Sequence, residues 1–472
     1  MGTMTRSGTT QPALPRTLPR RLGLVAATTI VSGSMIGSGI FITSADISRQ
    51  VQSASLLLLV WVFTALVTVA GAWSYGKLAM TFPKAGGQYV YLREAWGDLG
   101  GFLYGWAVLL VIQTGTIAAV AVAFAKYLGV LVPSVSSKHV FFKARFLSLT
   151  PIELVAIALI LLLTWWNTTS VENGARLQVV FTTAKILSLV GLLAICSTAG
   201  GHFLSAPWAL PDPSSLKIPL IWAFAVATVG SLFSADAWNN VTFLAEEVRD
   251  AETNVPKALV YGTGLVTTLY VLANVGYLNV LPLSGIAHAP EDRVATAAIG
   301  AVTGSAETGT PALVMAIVIL VSTFGCLNGL ILSGARVLYA MSRDRLFFPA
   351  LGEVASRTSI PVNALLAQAV WAALLCLSGT YSDLLDYVIT TVLIFYIATI
   401  VGRWKLARTN PALAPKSWAD RIIPVLYVAA TVYVAIALAI YKPTYTIPGL
   451  VIVALGIPAF YFFRKRGVPV PQ

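Results

Sequence analysis

Charge is scarce in this chain. Asp, Glu, Lys and Arg make up 11% of its 472 residues, against roughly 25% in an ordinary soluble protein. Acidic groups are the scarcest, 19 against 31 Lys and Arg. The three histidines, His139, His202 and His288, all fall in loops between apolar runs. No HExxH or GxSxG motif occurs, and no phosphate-cradling loop sits between a strand and a helix. Metal-assisted hydrolysis, acyl transfer and nucleotide chemistry therefore lack their motifs, and no enzyme activity, metal or cofactor is expected. Cysteine is nearly absent too: Cys196, Cys326 and Cys376 lie within or at the ends of apolar runs, which reads as small buried hydrophobes rather than a disulfide framework.

What is present is hydrophobic residue, 57% of the chain. Long apolar runs recur from end to end, the pattern of a polytopic membrane protein. Twelve spans are expected at about 22–46, 54–80, 98–131, 151–167, 174–199, 219–246, 257–281, 311–341, 361–379, 384–402, 422–441 and 446–463. They form one transmembrane domain, 22–463, between a disordered tail, 1–21, and a short tail, 464–472. The first apolar run is too long for a signal-peptide core and is expected to stay as the first span. The net charge of +12 is explained by basic residues gathered on the inner side of the bilayer, not by nucleic acid. Both termini are then cytoplasmic, in a cell membrane. The loop Pro133–Thr150 departs from this rule with a basic cluster outside. The segment Pro83–Gly97 is amphipathic and expected at the inner interface, and Pro282–Pro311 is expected as an outer lid.

Two spans are interrupted. In the first, VSGSMIGSGIF (Val31–Phe41) places Gly33, Gly37 and Gly39 among Ser32, Ser34 and Ser38. Each glycine costs a helix roughly 1 kcal/mol relative to alanine. Backbone that leaves the helix inside lipid must be satisfied by protein, water or ligand, so a break over Met35, Ile36, Gly37, Ser38 and Gly39 is a candidate small-molecule site. The alternative is that the glycines only let two helices pack closely. A second break, Phe233–Asn240, holds Phe233, Ser234 and Asp236. A carboxylate that deep faces water, a partner or substrate, or caps the resumed helix. The two broken spans are each followed by four more, a coarse echo of two inverted halves. Lys185 sits well inside the fifth span, too far from either end to reach the interface. It reads as a proton carrier or an internal tether. Lys126 and Arg336, nearer span ends, read as snorkellers, and the run Glu246, Glu247, Arg249, Asp250, Glu252 as a solvated face or a gate salt bridge.

Five stretches in order carry a resemblance: GSMIGSGIF, PKAGGQYVYLREAWG, QVVFTTAKILSL, LFSADAWNNVTFLAEEVRDAETNVPKAL and NGLILSGARVLYAMSRDRLFFPAL. Together they resemble the amino acid, polyamine and organocation transporter superfamily, and most closely the L-type amino-acid transporters and their prokaryotic relatives. The resemblance implies an all-α, leucine-transporter-like fold of two inverted five-helix repeats, with helices 1 and 6 broken, plus two C-terminal helices. Backbone amides at Ser38 and Gly39 would hold a substrate carboxylate, as the start of a half-helix suits an anion. Carbonyls at Met35, Phe233 and Asp236 would accept from the substrate ammonium, with Ile36, Gly37 and Ser234 lining the site and Phe233 closing it. Lys185 would replace a sodium ion and bridge to Ser333 or its neighbours, implying sodium independence. Two departures stand out. The L-type pair of glycines before the tryptophan is here Asp236 and Ala237, and Pro133–Thr150 has no cysteine, so no disulfide-linked heavy chain is expected. The implied function is secondary transport of L-amino acids by alternating access, as an exchanger or proton-coupled. A polyamine or organic-cation carrier of the same fold, or a non-transporting amino-acid sensor, is the alternative.

Overall fold

Lipid offers the backbone no hydrogen bonds, so the apolar runs become helices whose N–H and C=O groups pair within the segment. The computed structural model describes residues 18–135, 140–144, 147–198, 201–304, 309–356, 358–377 and 381–465. The helices α1 (Leu24–Met35) and α2 (Gly39–Val51) are the two halves of the first span. Next come α3 (Ala54–Thr81), α4 (Gln88–Ala107) and α5 (Gln113–Leu131), the last two joined by a π-helical turn at Val108–Ile112. A hairpin of three-residue strands, β1 (Phe142–Ala144) and β2 (Leu147–Leu149), departs slightly from the all-helical expectation. After it come α6 (Pro151–Thr169), α7 (Val171–Thr198), the single turn α8 (His202–Ser205), α9 (Leu220–Ser234), α10 (Asn240–Phe243) and α11 (Ala251–Val280). Two short helices, α12 (Leu283–Ala287) and α13 (Val294–Thr303), precede α14 (Thr310–Arg343), α15 (Val362–Cys376), α16 (Tyr381–Leu406), α17 (Trp418–Tyr441) and α18 (Pro443–Lys465).

Among the described residues, nine helical stretches are long and apolar enough to cross a membrane, and α1 with α2, bent by 41°, makes a tenth. The expected spans at 219–246 and 361–379 are not single full-length helices. Each contains a 15-residue helix, α9 or α15, short of the ~20 residues a straight crossing needs. Local chemistry sets several boundaries. Thr150 caps α6 by accepting from Ile152 N–H at 3.2 Å, while Glu153 accepts from Thr150 N–H at 2.7 Å, a reciprocal box that satisfies two orphan donors. The segment expected to lie at the inner interface instead runs into the protein: Gln88, Tyr89, Val90, Tyr91 and Leu92 are buried. Its helix turns at Gly97, where φ is 77°, a conformation glycine adopts at little cost.

The short helices α12 and α13 pack over α2 with Leu283, Ile286, Val294 and Ala298 buried. Arg49 fastens them, donating to Asp292 at 2.6 Å and to the Ala287 carbonyl at 2.8 Å. At the opposite end of the bundle, residues 18–21, expected in the disordered tail, and Leu22, expected to open the first span, are placed against the segment that follows α10. Arg21 and Leu22 N–H donate to the Glu247 carbonyl at 2.8 and 3.0 Å, and Arg249 N–H donates to Leu22 O at 2.8 Å. The rest of both tails, 1–17 and 466–472, lies outside the described residues.

Arg336 is no snorkeller. It and Glu247 are both fully buried and form a two-pronged ion pair, Nε to Oε1 at 2.8 Å and Nη2 to Oε2 at 3.3 Å, with Nη1 donating to Leu332 O at 2.6 Å. The acidic run therefore divides: Arg249, Asp250 and Glu252 are solvated, Glu247 is core, and Glu246 ties Leu18 N–H, Ala85 N–H and Arg343 together. Removing one partner of a buried pair strands the other charge, at a cost of about 3–5 kcal/mol. Arg336→Leu and Glu247→Leu should each lower the unfolding midpoint in detergent, and the double variant should lie above either single one. A double variant as unstable as the two losses added would contradict this.

Candidate functional site

The site begins where α1 stops, at Met35. A helix end leaves its last carbonyls without partners, and here the chain continues as three non-helical residues before α2 starts at Gly39. Every carbonyl from Ser32 to Gly37 nevertheless meets a donor. Ser32 O accepts from Ile36 N–H at 3.0 Å. Gly33 O and Ile36 O accept from Lys185 Nζ at 2.6 and 2.7 Å. Ser34 O lies 3.0 Å from the Cys326 thiol, and Met35 O lies 3.0 Å from the Tyr270 hydroxyl. Ser322 Oγ stands 3.1 Å from Ile36 O and 3.0 Å from Gly37 O. The donors come from α7, α11 and α14, so three helices hold one break.

Lys185 is fully buried on α7. An ammonium has three donors and no acceptor, and two of them end on carbonyls at the negative end of α1, where a cation is favoured. Ser333 is not its bridge: Ser333 Oγ donates to Gly329 O and Leu330 O of its own helix. The part of α14 that reaches the break is about two to three turns earlier, at Cys326 and Ser322.

The second half-helix opens differently. Ser38 provides no side-chain cap and no acid sits in the first turn of α2, the setting in which an incoming carboxylate is stabilised by N–H groups and dipole. Gly39 also sits against α9. A Cβ there would fall 2.1 Å from Ser234 Oγ and 3.0 Å from Ser234 Cα. Close packing and site formation thus coincide at this glycine, and a bulky residue would force the helices apart rather than only obstruct a ligand. Tyr270, held edge-on against Trp61 at 5.6 Å, places its hydroxyl 3.0 Å from Met35 O and 3.2 Å from Ser234 O. One hydroxyl proton thus serves the ends of both broken spans.

Met35, Ile36, Gly37, Ser38, Gly39 and Ser234 are therefore brought together. Phe233 is half-buried and its carbonyl accepts from Asp236 N–H at 3.1 Å. Two carbonyls assigned to a substrate ammonium, those of Met35 and Phe233, already have protein donors here. Asp236 lies three residues beyond Phe233, and its Oδ1 accepts from Tyr396 OH of α16 at 2.5 Å. Next to it Ala237 adopts φ 63°, a left-handed conformation that costs a side-chain-bearing residue about 1–2 kcal/mol.

Asp236 and Tyr396 line two narrow cavities, each with room for about one or two waters. The first is polar, with Gln88, Gln113, Asn239 and Asn240. Three of these amides are engaged: Asn239 Nδ2 donates to Gln88 Oε1 at 2.8 Å, Gln88 Nε2 to Thr399 at 3.0 Å and Gln113 Nε2 to Leu330 O at 2.8 Å. Asn240 Nδ2 is buried without a partner. The second cavity is apolar, walled by Phe63, Leu232, Trp238, Leu393 and Tyr427. Sequence reasoning missed Tyr270, Tyr396, Ser322 and Cys326, because a lone hydroxyl or thiol in an apolar run carries no signal of what it touches.

A protein-family model described as amino acid permease matches residues 22–461, which include both breaks. Similar proteins include the large neutral amino acids transporter small subunit 2 of Homo sapiens, 30% identical over 451 residues, covering 94% of this chain and 80% of that protein. Another is the Asc-type amino acid transporter 1 of Mus musculus, 30% identical over 461 residues, covering 95% and 82%. A third is the b(0,+)-type amino acid transporter 1 of Homo sapiens, 26% identical over 447 residues, covering 94% and 88%.

The contact of Gly39 with Ser234 makes a specific prediction. Gly39→Ala should destabilise the protein by about 1–3 kcal/mol through overpacking, and adding Ser234→Gly should restore most of that. Thermal unfolding of the three variants in detergent checks it; an unchanged Gly39→Ala midpoint would place the two helices further apart than 3 Å contact allows.

Proposed function

We propose a function from one premise: this chain belongs to the amino acid permease family. The family consists of carriers, not enzymes, and the chain is a multi-pass membrane protein. Its function is the secondary transport of L-amino acids across the cell membrane by alternating access, sodium-independent, as an exchanger or coupled to protons. In this reading the single domain 22–463 crosses twelve times, as two inverted five-helix halves followed by α17 and α18, with both tails cytoplasmic.

The observation that carries the reading is Lys185. Unwound carbonyls at half-helix ends are where carriers of this architecture coordinate a sodium ion. Here a covalently attached ammonium ends on Gly33 O and Ile36 O at 2.6 and 2.7 Å, a monovalent charge that never leaves. The start of α2 and the carbonyls of both breaks then serve the carboxylate and ammonium of one zwitterion. Met35 O can accept a second donor, since a carbonyl has two lone pairs, or exchange Tyr270 for substrate. Closure at both ends of the bundle supports alternating access: the Leu22–Val248 backbone pairing with the Arg336–Glu247 ion pair at one end, and the Arg49–Asp292 ion pair at the other.

One relative is named a small subunit, which raises the question of a partner. All three cysteines of this chain are buried, which supports a carrier without a disulfide-linked heavy chain. A polyamine or organic-cation carrier is the reading favoured by one feature, the Asp236 carboxylate, and transport of an amine lacking a carboxylate would decide for it.

Uptake of labelled alanine into proteoliposomes preloaded with amino acid tests the proposal. Replacing external sodium by choline should leave the rate unchanged, and Lys185→Ala should remove most of it. Sodium-dependent uptake by the unmodified protein would reject the role given to Lys185, and a protein that binds but never accumulates amino acids would be a sensor.

A further inference from the structure

We propose that Arg403 binds the phosphate of an anionic lipid of the inner leaflet, at the junction of α3, α16 and α17. The inference does not depend on what the protein carries; it takes from the reading above only which leaflet this end of the bundle meets. The observation behind it is a guanidinium without a partner. Arg403 stands on the last turn of α16 and is 2% exposed, yet its Nε and Nη1 are buried with no hydrogen-bond partner among the described residues. Arg336, equally buried, is paired on both prongs. An arginine cannot shed its charge, and a buried charge left uncompensated is costly. Such a group marks the place of a partner from outside the chain.

The chain's own carboxylate is already engaged. Asp420 is the acid whose charge acts on Arg403, but Lys416 N–H donates to its Oδ2 at 3.2 Å and Lys77 Nζ lies 3.4 Å from its Oδ1. Lys77 of α3, Arg403 of α16 and Asp420 of α17 therefore sum to one unmatched positive charge. Between residues 403 and 421 the sequence adds Lys405, Arg408, Lys416 and Arg421 and no further acid. This corner lacks an anion.

The tryptophans around it say where that anion comes from. Trp73, Trp96, Trp404 and Trp418 are exposed, and exposed tryptophan in a membrane protein gathers at the level of the lipid head groups. Trp404 adjoins Arg403, Lys77 lies over Trp73 at 6.0 Å, and Lys405 lies over Trp96 at 4.9 Å. Arg403 is thus at the depth of lipid phosphates, and basic sites between spans at the cytoplasmic side suit anionic head groups. The guanidinium fork matches two phosphate oxygens at once, and its long stem lets it turn outward to meet them. A phosphatidylglycerol head group brings the missing negative charge. Phosphatidylcholine carries its own cation and leaves the corner unmatched.

The test titrates dioleoyl phosphatidylglycerol, dioleoyl phosphatidylcholine or inorganic phosphate into the purified full chain in detergent. Native mass spectrometry reads lipid retention, and thermal unfolding reads the midpoint. Phosphatidylglycerol should bind roughly tenfold tighter than phosphatidylcholine, the order of one charged hydrogen bond, and raise the midpoint, whereas inorganic phosphate should not. Arg403→Gln should bring the two lipids within about twofold of each other. Arg403→Lys, which keeps the charge without the fork, should retain a reduced preference and gives the reading if the glutamine variant does not fold. Arg408→Gln and Arg421→Gln, at exposed positions of the same strip, should leave the preference unchanged, and so should Asp420→Asn. Equal binding of the two lipids by the unmodified protein, or a preference undiminished in the Arg403 variants, would overturn the inference. A preference lost equally in Arg408→Gln would reduce it to general attraction by the basic strip, and one lost in Asp420→Asn would make Asp420, not a lipid, the partner of Arg403. Inorganic phosphate that reproduces the midpoint rise would overturn the lipid as its source. Each of these results leaves amino-acid transport standing.

Discussion

A carbonyl inside a bilayer must find a donor, and that requirement organises this molecule. Interrupting the first span between Met35 and Gly39 exposes carbonyls that lipid cannot satisfy, and the protein answers with Lys185, Tyr270, Ser322 and Cys326 from three other helices. The packing of α1 against α7, α11 and α14 follows from those bonds. In the carrier reading proposed above, the same unwound backbone serves a small zwitterion, and Lys185 takes the place of a diffusible cation at Gly33 O and Ile36 O.

The ends of the bundle are closed by different chemistry. One end is held by exposed and half-exposed groups, Arg49 with Asp292, worth about 1 kcal/mol or less in contact with water. The other combines backbone pairing of Leu22 with Val248 and a fully buried Arg336–Glu247 pair. A buried ion pair adds little net stability relative to an apolar replacement, but it strongly penalises arrangements in which either partner is left alone. Separating α14 from the segment after α10 therefore has to bring water to both charges. In the carrier reading proposed above, that penalty is what makes this end act as a gate.

Much of this was legible in the sequence. Glycines alternating with serines marked the first break, and FSADAWNN marked the second, because both run against helix propensity inside apolar segments. Lys185 announced itself through the cost of an amine at that depth. What was not legible was non-local pairing. Arg336 lies near a span end and reads as a snorkelling side chain, and only the fold brings Glu247, 89 positions away, into contact with it. Ser333 was named for the eighth-span contact by resemblance, whereas the rotation of α14 presents Ser322 and Cys326 to the break. Tyr396 looks like any interfacial aromatic until its hydroxyl is seen on Asp236. The segment 83–97 was expected at the inner interface from its amphipathic pattern, but residues 88–92 are buried in the protein without a break.

The central claim is that the break in the first span is at once a structural knot and the substrate site. Hydrogen–deuterium exchange over residues 36–41, with and without saturating alanine, tests it most directly. The account predicts that alanine slows exchange at the start of α2, at Ser38 and Gly39, where the substrate carboxylate occupies N–H groups that the helix cannot bond. Exchange over 36–41 that is unaffected by alanine, while amides elsewhere become protected, would contradict it.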